Sequence, residues 1–126
     1  MTRREPRSAC PIATTLDMVG DRWTMVIMRD LICGKKRFSQ FLASPERITT
    51  NVLTDRLAAM EEDGLVIRRS YQERPKRYEY VLTEKGEALL PVLQDICRWA
   101  NRYMPDTWTP PDHFMRKRTG GGDASS

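Results

Sequence analysis

Apolar residues along this chain recur first at helical spacing and then at strand spacing. Ile12, Leu16 and Val19 mark one face of a short helix that starts at Pro11 and ends at Gly20. Proline suits the first helical position, where the N–H it lacks would have no partner, and Cys10 then falls at the N-cap. Trp23, Val26, Ile27 and Leu31 share one side of a second helix over 22–32. Met25 and Met28 widen its apolar surface and Gly34 supplies the stop, so the pattern predicts the central core helix. After the basic turn of Lys35, Lys36 and Arg37, a short helix over 38–43 presents Phe38, Phe41 and Leu42 inward, and Pro45 marks the next turn.

The fourth helix has the sharpest boundaries. Thr49 fits the N-cap, and Ile48 with Leu53 fits the hydrophobic staple around it. Leu53, Leu57 and Met60 form one stripe, and Gly64 suits the left-handed stop with Leu65 folding back onto Met60. A short helix, a turn and a capped helix in this order have the size of a helix-turn-helix. The pattern then changes period. Segments 66–72 and 77–82 are rich in β-branched and aromatic residues, with Tyr78, Tyr80 and Leu82 on one face and Arg77, Glu79 and Val81 on the other. The spacing predicts an antiparallel hairpin closed by a four-residue loop over 73–76, resting on the helices because a lone hairpin is marginal. Thr83 caps a last helix over 84–104, bent at Pro91, with Leu89, Leu93, Ile96, Ala100 and Tyr103 along its stripe. The fold class is mainly α with a small β-hairpin, a winged helix-turn-helix. The domain runs over 10–105, between a flexible arm at 1–9 and a disordered tail at 106–126.

Composition narrows the function. The chain has 126 residues, enough for one modest domain, and 40% of them are hydrophobic. No apolar run approaches the roughly 18 residues that span a bilayer, and the N-terminus lacks the apolar segment of a secretory signal, so a cytoplasmic protein without a membrane partner is expected. Cys10, Cys33 and Cys97 form no CxxC pair, and the single histidine, His113, sits among prolines near the C-terminus. Neither a metal site nor a cofactor site is expected, and a cysteine enzyme would lack a base. Net charge is +4, and the basic residues gather in runs at 3–4, 35–37, 68–69, 74–77 and 116–118. That placement suits an anionic partner.

The front of the fourth helix is polar, with Thr49, Thr50, Asn51, Thr54 and Arg56 off the apolar stripe, and its end carries Glu61, Glu62 and Asp63. Acids at a helix C-terminus oppose the dipole by about 0.3–1 kcal/mol each, so stability alone does not favour them. A helix that approaches DNA by its N-terminal end does, because its hydroxyls and amide meet base edges while the acids stay away from phosphates. The hairpin adds a basic tip of Arg74, Lys76 and Arg77 that can reach phosphates, while Glu79 pairs inside the hairpin with Arg68 or Arg69. Lys35, Lys36, Arg37 and Ser39 complete the set of expected DNA contacts. A winged-helix module that binds proteins without binding DNA is the alternative, and the basic tip speaks against it.

Cys-Pro before the first helix, Gly20-x-x-Trp23, Leu53-Thr-Asp-Arg-Leu57 and Tyr78-Glu-Tyr-x-Leu-Thr-x-x-Gly86 together resemble the HxlR-type winged helix-turn-helix transcriptional regulators, relatives of the MarR type. The resemblance covers about 10–103. It implies a homodimer on pseudo-palindromic promoter DNA, with helix 50–63 in the major groove and the wing on flanking DNA. It also gives the wide apolar face of the last helix a task. That helix and the first are expected to form a two-fold interface through Ile12, Leu16, Leu93, Ile96, Trp99 and Tyr103. Some relatives sense oxidants or electrophiles through the cysteine that corresponds to Cys10. Its N-cap position, near free N–H groups and close in sequence to Arg7, favours such chemistry, so an oxidant or small-molecule signal is one reading of Cys10 and a small structural cysteine is the other.

Overall fold

The computed structural model describes residues 5–119; the basic pair at 3–4 and the stretch 120–126 lie outside the described residues. Seven helices and one hairpin follow in the order α1 (Pro11–Val19), α2 (Thr24–Ile32), α3 (Phe38–Leu42), α4 (Thr50–Glu62), β1 (Val66–Glu73), β2 (Lys76–Leu82), α5 (Glu84–Glu87), α6 (Leu90–Tyr103) and α7 (Asp112–Arg116). No helix among the described residues is long and apolar enough to cross a membrane.

Local signals set most helix ends. The Thr49 hydroxyl accepts from the Val52 amide and the Thr83 hydroxyl from the Gly86 amide. The carboxylate of Asp21 accepts from the amides of Trp23 and Thr24, so α2 starts two residues later than its apolar pattern suggests. Gly34 and Gly64 both take positive φ. Each closes a paired stop: Gly34 N donates to Leu31 O and Lys35 N to Asp30 O, as Gly64 N donates to Glu61 O and Leu65 N to Met60 O. Lys85 Nζ donates to the Asp63 carbonyl at 2.8 Å, placing a cation at the acidic end of α4.

The core is built by Ile27 and Met28 of α2, Phe41 of α3, Leu53, Leu57 and Met60 of α4, and Leu65 and Val66 leading into the hairpin. Three features differ from the sequence expectation. First, the hairpin loop has two residues rather than four: Glu73 pairs with Lys76, and only Arg74 and Pro75, joined by a cis peptide, lie between. The pairing passes from Ser70–Tyr78 to Gln72–Arg77, leaving Tyr71 as an extra, bulged residue. Tyr80 packs edge-on against Phe41, but Tyr78, on the same face by alternation, is exposed. Second, the last helix is broken rather than bent. Ala88 and Leu89 form a turn, and Pro91, without an N–H, sits in the first turn of a new helix. Third, part of the expected disordered tail is folded. Phe114 of α7 is buried in the core, and Gln94 Nε2 donates to the carbonyls of Phe114, Met115 and Lys117 at 3.0, 3.3 and 2.8 Å.

A candidate nucleic-acid interface

The helix-turn-helix consists of α3, the turn over 43–49, and α4. An ionic cluster around the buried Asp30 holds its turn. Asp30 of α2 is buried, and its carboxylate accepts from the Ser44 hydroxyl and from Arg29 at 2.9 and 3.1 Å. Arg29 also grips Glu46 with two bonds, of 2.6 and 2.9 Å. The Arg29 hydrogen bonds hold the Glu46 carboxyl below its usual range, and the same bonds hold the Arg29 guanidinium firmly protonated. Arg47 completes the turn in a left-handed conformation, φ 64°, and is exposed.

At the front of α4, Thr49, Thr50, Asn51 and Thr54 are exposed. Thr54 Oγ1 donates to the Thr50 carbonyl at 2.9 Å. Arg56 is half-buried and turned toward Asp21, 3.5 Å away. Burial pushes the Asp21 carboxyl up, but the Thr24 hydroxyl, the amides of Trp23 and Thr24, and Arg56 outweigh it and hold it below its usual range. Arg56 therefore joins α4 to the start of α2.

The basic turn and the wing form one continuous piece of structure. The Tyr80 amide donates to the Lys36 carbonyl at 2.8 Å, so β2 is stitched to residue 36. The Arg37 guanidinium lies 4.0 Å from the centre of the Tyr71 ring. Lys36, Arg37 and Ser39 are exposed, whereas Lys35 turns inward to Ser44 at 3.3 Å and Asp30 at 3.8 Å. At the wing tip Arg74, Lys76 and Arg77 are exposed, and among the described residues only Lys76 has an ion-pair partner, Glu73 at 3.7 Å. Glu79 is buried, 8% exposed, and meets Arg69 directly opposite at 2.9 Å, the expected pairing.

Sequence reasoning missed the Arg29–Glu46 clamp and Arg47. Neither carries a periodic signal; a proline turn with two charges was the only hint.

The expected interface residues separate into two groups. Leu93 is 6% exposed and belongs to the core, a correction to its place in the two-fold face. Ile12, Leu16, Ile96, Trp99 and Tyr103 are exposed, Ile12 by 72% and Trp99 by 60%. The reason is that α6 carries two stripes: Leu90, Leu93, Gln94 and Cys97 point inward, whereas Val92, Ile96, Trp99 and Tyr103 point outward. The Trp99 and Tyr103 rings meet at a tilt of 48°, their centres 5.5 Å apart, on this outer side.

Cys10 is exposed at the N-cap of α1. Arg7 is engaged elsewhere, with Asp17 at 2.7 Å and the Ala13 carbonyl at 3.2 Å. Burial pushes the Cys33 and Cys97 thiols up. No group of His, Cys, Asp and Glu among the described residues is arranged to hold a metal ion.

Comparison with known proteins agrees with this arrangement. The HTH-type transcriptional regulator YdeP of Bacillus subtilis (strain 168), itself uncharacterized, is 40% identical over 94 residues, 75% of this chain and 73% of that one. The reduced form of the transcriptional regulator YodB from B. subtilis superposes with a TM-score of 0.66 at 31% identity, covering 80% of this chain and all of that one. The redox regulator HypR in its reduced form gives 0.69 at 36% identity, covering 79% and 100%. The model of the HxlR-like helix-turn-helix matches residues 18–107, which takes in the clamped turn, α4 and the wing, and the chain belongs to that family of transcriptional regulators.

Proposed function

We propose that this protein is a sequence-specific transcriptional regulator that binds a pseudo-palindromic promoter site as a homodimer. The observation that carries the reading is the polar front of α4, held by the Arg29–Glu46 clamp and flanked by a wing whose tip is basic. Thr49, Thr50, Asn51 and Thr54 read base edges, with Asn51 suited to adenine. Arg74, Lys76 and Arg77 at the wing, with Lys36, Arg37, Ser39 and Arg47, contact phosphates and make affinity fall with salt. Lys35 and Arg56, engaged with Asp30 and Asp21, shape the motif and add their charge to the face.

The outward stripe of α6 together with Ile12 and Leu16 of α1 is the surface for the second copy. Large apolar side chains gathered on one side favour a partner over water. Two copies would place their α4 helices on half-sites about 34 Å apart. The exposed Cys10 is the candidate oxidant-responsive group, a reading supported by the likeness to a redox regulator.

The deciding experiment is selection of bound sequences from a random DNA pool, with and without oxidant, on the wild type and Cys10→Ser. A palindromic consensus with half-sites one helical turn apart is expected, with oxidant altering binding in the wild type alone. A pool that stays random would refute the DNA-reading function, and an unchanged oxidant response in Cys10→Ser would refute the role of the thiol.

A further inference from the structure

A hollow of about 740 Å³ lies between α2, α6 and the segment leading into α7. Its size falls within the roughly 300–1,000 Å³ of small-molecule sites. Met25 and Val26 line one wall, Leu93, Ile96 and Ala100 a second, and Trp108, Pro110, Pro111 and Phe114 a third. The last four residues lie beyond 18–107, the part of the chain that matches the family.

The polar groups on the lining restrict what can bind. Arg29 and Asp30 line the hollow, but their charges are already matched by Glu46, Lys35 and each other. An anionic ligand would find no unmatched positive charge on the lining, and burying it would be costly. The free groups are acceptors. Asn101 spends its Nδ2 on Thr107 Oγ1 and the Trp108 carbonyl, both at 2.9 Å, which leaves its oxygen open. Asp106, also on the lining, has no hydrogen-bond or ion-pair partner among the described residues. A matching molecule is apolar, flat enough for an aromatic wall, and carries a hydroxyl or amine donor.

One wall of the hollow is also part of the helix-turn-helix. Arg29 lines the cavity and grips Glu46, three residues before the Thr49 N-cap of α4, and Pro45 lines the cavity directly. Pressure on Arg29 or Pro45 therefore reaches the turn that aims α4, and a ligand that prefers one position of that turn shifts its population. We infer that this hollow binds an aromatic molecule that bears a hydrogen-bond donor and no negative charge, and that its occupancy is transmitted to the DNA-reading helix through Arg29 and Glu46. The transmission rests on the DNA-binding reading above; the binding does not.

The test uses 2-naphthol as probe and 2-naphthoate as its anionic counterpart, titrated by fluorescence against the full chain without DNA, with sedimentation run alongside. Saturable binding of 2-naphthol is expected. It should fall at least about tenfold for 2-naphthoate and for Ala100→Trp, which fills the hollow from half-exposed α6. Absence of saturable binding, equal binding of the two probes, or binding confined to a monomer fraction would overturn the site; the last result would mean that a second copy occupies it. With the selected DNA present, 2-naphthol should change wild-type affinity and leave Glu46→Gln unresponsive although the probe still binds. A Glu46→Gln protein that responds like the wild type would overturn the route. A protein that binds 2-naphthol as expected but selects no DNA would count against the DNA-binding reading and support the site.

Discussion

The Arg37 guanidinium stacks 4.0 Å above the ring of Tyr71, joining the basic turn before α3 to the bulged residue of the wing. Without the bulge, alternation would carry the residues before it to the opposite face of the strand. Tyr71→Ala should cost about 0.5–1 kcal/mol of stability, the size of an exposed cation–π contact. Its DNA affinity should fall further than that, because Arg37 loses its position, and Tyr71→Phe should behave like the wild type. Equal affinities for all three proteins in a gel-shift titration would show that the stack has no part in binding.

Base reading and phosphate contact should separate by mutation. Asn51→Ala should lose about 1–3 kcal/mol on the selected site and little on random DNA. Lys76→Ala should weaken both by a similar factor and reduce the salt slope by about one. Parallel losses by both variants on both DNAs would refute this division.

Gly86 is fixed by a close approach of backbone. A Cβ there would lie 2.2 Å from the Leu65 carbonyl oxygen and 3.0 Å from Leu82 Cδ2. Gly86→Ala must push α5 away from the α4–β1 connection, a destabilisation of about 3 kcal/mol by the measure of overpacked cores. Urea denaturation should show a lower midpoint, and an unchanged midpoint would contradict the packing.

The folded part of the C-terminal segment can be tested through Gln94 and Phe114. Gln94→Ala removes the donor shared by three carbonyls, and Phe114→Ala removes a buried ring, worth about 3–5 kcal/mol in a core. Because α7 is terminal, the loss should appear first as faster amide exchange over 112–117, with exchange in α4 less affected. Uniform exchange changes across the chain would mean that α7 is no separate unit.

Stability should decline in acid through Asp21 and Glu46. Both carboxyls are held below their ordinary values of 3.8 and 4.5 in the folded chain, so the unfolded chain takes up protons first as pH falls. Their contribution is complete above those values and fades as pH drops through the lower folded ones. Glu46→Gln should be less stable than wild type at neutral pH, with the gap narrowing below about pH 4. A gap that stays constant from pH 7 to pH 3 in thermal melts would remove Glu46 from this account.

The sequence alone determined the features that depend on neighbours in the chain. Pro11, Thr49 and Thr83 start helices and Gly34 and Gly64 stop them, because caps satisfy backbone groups within a few residues. The helix-turn-helix, the hairpin after it and the opposition of Glu79 to an arginine on the other strand were legible for the same reason. Tertiary structure decided the rest. Leu93 and Ile96 are equally apolar and three residues apart, yet one is buried and the other open, because α2 and α7 cover only one of the two stripes on α6. The bulge at Tyr71 shortened the loop, Pro91 divided the last helix, and Phe114 brought the tail back onto the core. Asp30 and Glu46, sixteen positions apart, meet through one arginine. These outcomes depend on which distant surfaces are available for burial and pairing, and spacing along the chain carries no record of that.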